Sequence, residues 1–390
     1  MALALGQHLE VEPEILVAGG DALARVDGFP LFIRALYPGD RASVRITELR
    51  KGFGRAEAVE IIRLSRDRRA EPCPVARECG GCDWTELRLD RQIHWKRRIL
   101  LDSLRRIGKF DPASLPSPAV HVSPLRYRLR SRLQVRTDED GAIGFYAARS
   151  NRVVPLPEEC EVVGPGVIAH LDELRRAAEQ IRPPAIEVLE GTREVVAHLG
   201  DGEPPATTVR AGDWELRLTP VSFFQVNRHL LGTLHRLVTD SARKCRRREL
   251  AWDLYGGVGF FALPLAEHFA RVITVESSPE SHRWAVRNVR SLEAIEPVRD
   301  EVGRFLERER AGADFILVDP PRAGLAPEVT ERIAEGGAER ICYLSCDPVT
   351  FSRDAHRLAR RGWALASLDL IDLFPNTHHI ETLASFVLAG

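Results

Sequence analysis

No stretch of the 390 residues approaches the roughly 20 consecutive apolar residues of a bilayer span, which excludes a helical membrane protein. The apolar start, Met1 to Gly6, has no basic n-region and is too short for a signal h-region, so a cytoplasmic location is expected. Charge of neither sign dominates: 55 Lys and Arg face 56 Asp and Glu, a net charge of −1. A nucleic-acid partner would therefore have to be met by a local basic surface and not by the global field. The dinucleotide spacing G-x-G-x-x-G is absent. A disulfide framework is also missing. The seven cysteines fall at 73, 79, 82, 160, 245, 342 and 346, and a tight cluster without a secretory signal reads as metal binding or catalysis.

What is present divides the chain into two or three domains, with an apolar share of 44% that suffices for sizeable cores. Before residue 65, turn signals at Asp27-Gly28 and Pro38-Gly39-Asp40 separate short alternating runs, Phe32 to Ala35, Ala42 to Ile46 and Ala56 to Ile62. A small β-barrel of OB type is expected, a fold that often binds RNA but equally serves as a bare scaffold. The charged stretch Arg63 to Arg69 reads as a linker.

Cys73-x5-Cys79-Gly80-Gly81-Cys82 brings three thiols into one loop, and Cys160 is the best remote fourth ligand. Zinc sites usually pair their cysteines, whereas three close ligands and one remote suit a four-cysteine iron–sulfur cluster better; zinc stays open. Arg91 to Lys109 has the period of an amphipathic helix. In the strand-like run Leu125 to Leu133, alternation sets Arg126, Arg128, Arg130 and Arg132 on one face. Four like charges on a face call for an anion, and a phosphate backbone is the natural partner; a charged, solvated edge strand is the alternative. Gly144-Phe145-Tyr146 is expected as a turn whose aromatics could stack on bases. Leu171 to Ile181 reads as a polar helix, and 183–220 as strands that close a domain.

After Pro220, strands and helices alternate, the signature of a doubly wound parallel sheet. Asp253-Leu254-Tyr255-Gly256-Gly257-Val258-Gly259 turns a first strand into a helix expected over Phe260 to His268, bringing backbone close to a ligand. Later strands end at Glu276, placed for ribose hydroxyls, Asp300, placed for an adenine amino group, Asp319 and Cys346. All four should converge on one crevice. Cys346, between an apolar strand (Ile341 to Leu344) and the turn Asp347-Pro348, stands where open α/β sheets do their chemistry.

Together these motifs resemble the RNA uracil-5-methyltransferase family, and more narrowly its iron–sulfur ribosomal RNA members. The resemblance rests on Cys73, Cys79, Gly80, Gly81 and Cys82, on Ser222-Phe223-Phe224-Gln225-Val226-Asn227, and on the 253–259 glycine turn. Asp319-Pro320-Pro321-Arg322, Ser345-Cys346-Asp347-Pro348 and His379-Ile380-Glu381-Thr382 complete it, covering about residue 10 onward. It implies a TRAM barrel over 1–66, a central iron–sulfur, RNA-binding domain over 67–83 and 115–222, and a class I, Rossmann-like methyltransferase domain over 84–114 and 223–390. It implies S-adenosylmethionine held by Gln225, Tyr255, Gly257, Glu276, Asp300 and Asp319, and a 4Fe-4S cluster on Cys73, Cys79, Cys82 and Cys160. Gly256 replaces a Cys of several members, a change expected to be harmless, and Phe260 replaces an Asn that touches the cofactor in some.

Carbon 5 of uracil is a weak nucleophile until a thiolate adds to carbon 6, and a base must then remove the carbon 5 proton. Cys346 is the expected nucleophile, and Glu381, by family position, the base. The uridine must leave its stack, so a loop or unpaired site is expected. The expected RNA is 23S ribosomal RNA, with a transfer-RNA T-loop as alternative, acted on by a monomer. Adenine amino-methylation fits less well, because Arg322 stands where its proline motif carries an aromatic. Cytosine-5 methylation does not account for Glu381 or the cysteine loop. A binding protein that has lost catalysis is disfavoured by intact Cys346, Asp319 and Glu381.

Overall fold

The computed structural model describes residues 3–136, 142–200, 202–309 and 311–389, so Met1 of the apolar start lies outside the described residues. The amino-terminal strands His8–Val11, Ile15–Leu16, Ala22–Val26, Phe29–Ile33, Arg41–Leu49 and Gly54–Arg63 form one curled six-stranded sheet. Asp27 and Gly28 both have positive φ (48° and 81°), as a type I′ hairpin requires. The expected linker 63–69 is not loose. Arg68 is buried, its guanidinium 4.5 Å from the centre of the Tyr37 ring and ion-paired with Asp40 (2.9 Å) and Glu86, so it locks the barrel to the cysteine loop.

The middle of the chain builds a five-stranded antiparallel sheet in the order Val153–Pro155, Ile143–Tyr146, Arg130–Val135, Ala185–Glu190, Val195–His198, packed on helices Pro165–Ala169 and Leu171–Ile181. Gly144-Phe145-Tyr146 is therefore strand and not turn. A Cβ on Gly144 would lie 1.9 Å from the Val154 carbonyl, so the glycine serves close strand approach.

The carboxy-terminal half is the expected doubly wound sheet. Its order is Ile295–Arg299, Arg271–Glu276, Leu250–Leu254, Phe315–Val318, Arg340–Ser345, Glu381–Leu388, Trp363–Ile371, Ala119–His121. The first five strands are parallel, and Glu381–Leu388 runs antiparallel between its neighbours. Two boundaries shift. Ala119–His121, expected in the central domain, pairs in parallel with Trp363–Ile371 at the edge of this sheet. The hairpin Thr207–Ala211 and Trp214–Leu218 packs against helices Leu231–Ala242 and Pro279–Val289, on the methyltransferase side of the expected boundary at 222.

Helix Leu89–Arg106 buries Gln92, Trp95, Lys96, Ile99, Leu100, Ser103 and Leu104, one stripe at helical spacing, and packs against helix Pro348–Arg360. The helix expected over 260–268 is only Ala262–Leu265, with turns on either side; Pro264 within it has no N–H to donate.

Candidate active site

In open α/β sheets the ligand crevice lies beyond the strand ends where the winding order reverses. Here the reversal falls between Leu250–Leu254 and Phe315–Val318, parallel neighbours whose chain continues into Tyr255-Gly256-Gly257 and Asp319. These residues line one cleft with Phe223, Phe224, Gln225, Val258, Phe260 and Phe261. Gln225 Nε2 donates to Asp319 Oδ2 at 2.9 Å, and Tyr255 holds a left-handed conformation (φ 65°) that turns the chain out of the strand. Phe260 is buried against Phe224 and His235, with ring centres 5.4 and 4.2 Å away, and builds the back wall.

Glu276 ends its strand as expected. Its carboxylate accepts the N–H of Gly257 (3.0 Å) and of Ser278 (2.6 Å), fixing the glycine turn from the neighbouring strand. Asp300 follows the next strand, but its carboxylate is taken by Arg308 and the Glu301 N–H, and it does not line the cleft described above. Sequence reading passed over Asp253 as an individual site. It is fully buried, accepts from the Thr274 hydroxyl at 2.9 Å, and leaves its other oxygen without a partner. Those two side chains fill the space above Gly256. A Cβ there would meet Thr274 Oγ1 at 1.9 Å and Asp253 Oδ2 at 2.7 Å, so in this chain the position is shaped for glycine.

Cys346 occupies the turn between strand Arg340–Ser345 and helix Pro348–Arg360. Pro348 opens that helix, and Asp347 caps it by accepting the N–H groups of Val349 and Thr350, both at 2.9 Å. The antiparallel register ends on the pair Ser345–Thr382; Cys346 follows the first and Glu381 precedes the second, where it pairs with Ile371 of the neighbouring strand. Cys346 thus opens its turn where Glu381 opens its strand, and the carboxyl is near enough for its charge to act on the thiol. Burial pushes the Cys346 thiol up to about 12, aided by the charges of Glu381 and Asp319 and opposed by Arg322. Burial, and then Asp319, raises Glu381 well above the usual carboxylate range. Asp319 rises to about 7 through burial and the nearby Asp253, and Asp253 to about 7 through burial. Asp319 is thus linked by charge to Asp253 on one side and to Glu381 and Cys346 on the other. His378 pairs with Asp83 and stacks on His379, whose imidazole burial lowers to about 4.

Cys73, Cys79, Cys82 and Cys160 come together as the walls of a single cavity, with Phe145, Val154, Leu156 and Val162 between them. Among the described residues, no three His, Cys, Asp or Glu side chains lie close enough to hold a metal ion. The arginine strand differs most from expectation. Alternation survives, in that Tyr127, Leu129, Ser131 and Leu133 are buried, but regular strand begins only at Arg130, and Arg126 has φ 57°. Protein acceptors then occupy three of the four arginines. Arg128 donates to the Gly81 carbonyl (3.1 Å) and lies over Phe145, Arg130 donates to the Ser222 carbonyl (2.8 Å), and Arg132 pairs with Glu187 (3.2 Å). Arg126 is exposed. The four do not form an open cationic face.

Such a sheet with such a crevice defines a class I methyltransferase fold carrying an appended barrel. The model of the tRNA (Uracil-5-)-methyltransferase family matches residues 207–387, and that of the TRAM domain matches residues 5–59. The chain is 33% identical to a 23S rRNA (uracil(1939)-C(5))-methyltransferase RlmD of Thiobacillus denitrificans, over 94% of this chain and 96% of the relative. It is 30% identical to an uncharacterized RNA methyltransferase of Gloeobacter violaceus, over 98% of this chain and 97% of the relative. The crystal structure of Pyrococcus abyssi tRNA (uracil-54, C5)-methyltransferase in complex with S-adenosyl-L-homocysteine superposes with a TM-score of 0.75. It covers 97% of this chain and 100% of that one at 24% identity, a likeness of fold. The chain belongs to the RNA uracil-5-methyltransferase family. Its activity is the S-adenosylmethionine-dependent methylation of carbon 5 of uracil in RNA.

Proposed function

We propose that the enzyme methylates a uridine of 23S ribosomal RNA through a covalent adduct on Cys346, with Glu381 as the base that resolves it. The observation that carries this reading is that Cys346 and Glu381 adjoin the Ser345–Thr382 pair, both within reach of the charge of Asp319, which lines the cleft with Gln225. S-adenosylmethionine supplies an electrophilic methyl group on a cationic sulfur. The cleft suits it: Tyr255 and Gly257 offer backbone, Gln225 and Asp319 polar groups, and the exposed ring of Phe223 an aromatic rim. Glu276, joined to Gly257, completes the proposed cofactor set, and Asp300 would join it only on leaving Arg308 and the Glu301 N–H.

Once its proton has passed to solvent, the Cys346 sulfur forms a bond to carbon 6 of the ring with its own electron pair, and the displaced π pair moves onto carbon 5 and its conjugated carbonyl. Carbon 5 then takes the methyl group, the pair of the broken carbon–sulfur bond staying with the departing thioether. Glu381 accepts the proton from carbon 5. The freed pair restores the double bond and expels the Cys346 thiolate. A desolvated carboxylate is a stronger base than one in water, which suits Glu381 to this step. Burial favours the protonated form of the resting Cys346 thiol, so the thiolate has to form before it can add.

The RNA-facing surface is assigned to a cavity of about 480 Å³ between barrel, cysteine loop and the 377–379 turn. Phe32 and Phe53 supply ring surface there, Arg34 and Arg149 supply charge, and Arg126 adds a cation from the central domain. The four cysteines line one hollow. Three close cysteines and one remote suit a 4Fe-4S cluster, the group proposed here, better than the paired cysteines usual for zinc. The enzyme is proposed to act in the cytoplasm as a monomer; no described helix is long and apolar enough to cross a membrane.

Mass-spectrometric mapping of 5-methyluridine in RNA from cells with and without the gene tests the substrate. Loss from 23S rRNA is expected, and loss from transfer RNA alone overturns that assignment. Iron and sulfide analysis of anaerobically purified protein tests the cluster, and stoichiometric zinc overturns it.

A further inference from the structure

Asn376 is fully buried, holds a left-handed backbone conformation (φ 66°), and uses every polar atom it has. Its N–H donates to Gln92 Oε1 (2.8 Å), and its carbonyl accepts the N–H groups of Asp83 (3.2 Å) and Trp84 (3.0 Å). Its Oδ1 accepts from Gln92 Nε2 (3.1 Å) and Arg69 Nη2 (3.0 Å), and its Nδ2 donates to Glu161 Oε2 (2.9 Å). Arg69 closes the ring by donating to the same Glu161 oxygen at 2.6 Å. Asp83 and Glu161 directly follow Cys82 and Cys160, and Asn376 itself lines the four-cysteine cavity.

In the other direction, Asn376 stands five residues before Glu381 in a stretch with no regular structure between strands Trp363–Ile371 and Glu381–Leu388. The sheet ladder fixes Glu381 from its carboxyl side. From its amino side, position depends on how residues 372–380 are held, and Asn376 makes more of those bonds than any other side chain in the stretch. We propose that Asn376 is a positioning residue for proton abstraction, anchoring this stretch to the cysteine-cavity wall so that Glu381 stands opposite Cys346. The inference rests on the reading of Cys346 as nucleophile and Glu381 as base. A misplacement of about 1 Å at a reacting group costs on the order of 10²-fold in rate. Lys96 to the Phe374 carbonyl and Asp83 to His378 survive loss of the Asn376 side chain, so the stretch keeps its course while losing its precise seat.

The test uses Asn376→Gly, which tolerates the positive φ, as full-length purified protein with bulk RNA and methyl-labelled cofactor. The first methyl transfer should stay near wild type, steady-state turnover should fall roughly 10- to 100-fold, and a methylated protein–RNA adduct should build up on denaturing gels. Wild-type turnover without adduct overturns the proposal, as does lost transfer without adduct, because a merely structural residue would not divide the two steps. If Asn376→Gly fails to fold, Glu161→Ala removes the two bonds that close the ring and should show the same adduct; its absence there is equally fatal. Cys346→Ala must give no adduct, and an adduct in that variant overturns the underlying nucleophile assignment instead.

Discussion

Lys96 and Asp372, 276 positions apart in the chain, meet in the interior with Nζ 2.6 Å from Oδ1. The lysine is fully buried, and the same ammonium donates to the Phe374 carbonyl at 2.9 Å. The contact fastens helix Leu89–Arg106 to the stretch that leads to Glu381. Removing one partner of a buried pair leaves the other charge uncompensated, at about 3–5 kcal/mol. Lys96→Met should lower stability by about that amount in denaturant titration, and Lys96→Met with Asp372→Leu should recover much of the loss.

Glu381→Gln separates the two halves of the reaction. It keeps shape and burial but cannot take a proton, so methylated RNA should remain bonded to Cys346 and appear as a slow-migrating labelled band. Cys346→Ala should show no band while still retaining RNA in a filter-binding assay. An unchanged turnover rate in Glu381→Gln would exclude it as the base.

Asp253 and Asp319 set a pH dependence. Both are raised to about 7, while in an unfolded chain they ionise near the usual value of about 4. Between those limits the folded protein holds more protons, so their contribution to stability is full below about 4 and is lost as pH rises toward 7. Asp253→Asn keeps an acceptor for Thr274 and removes one titrating group. Its melting temperature should fall less between pH 5 and pH 8 than that of the wild type. An equal fall in both proteins would exclude Asp253 as a source.

The same ionisation should tune cofactor choice. A cationic sulfonium gains from an ionised Asp319, whereas the neutral thioether of S-adenosylhomocysteine does not. The affinity ratio of cofactor to product, measured calorimetrically, should therefore rise with pH through about 7 and level off above it.

Gly256→Cys should destabilise this chain by about 1–3 kcal/mol, a typical overpacking cost, with weaker cofactor binding. Thr274 and Asp253 occupy the volume the new side chain needs. Chemical denaturation and cofactor titration of the variant measure both effects.

Much of the methyltransferase half was legible because parallel strands are apolar throughout and end in turn residues. Glu276, Asp319 and Cys346 fall at the strand ends that reading indicated. The arginine run shows the limit. Its alternation was sound, but the acceptors that cover Arg128, Arg130 and Arg132 come from Gly81, Ser222 and Glu187, and no local pattern announces them. Asn376 was invisible for the same reason, with partners at 69, 83, 92 and 161. One signal was available. Gln92 and Lys96 lie on the apolar stripe of their helix, where a polar side chain must find a buried partner.

The reversed strand Glu381–Leu388 has a consequence for how the protein comes into being. It follows Trp363–Ile371 in the chain yet inserts between that strand and Arg340–Ser345, completing the sheet from inside. A ribosome that has translated as far as residue 370 has already made Cys346, but the strand that will face it does not exist, and the gap it will fill is an unpaired edge. Meeting of the proposed pair therefore waits on strand Glu381–Leu388, and the nascent chain passes through a stage that carries the Cys346 thiol without Glu381.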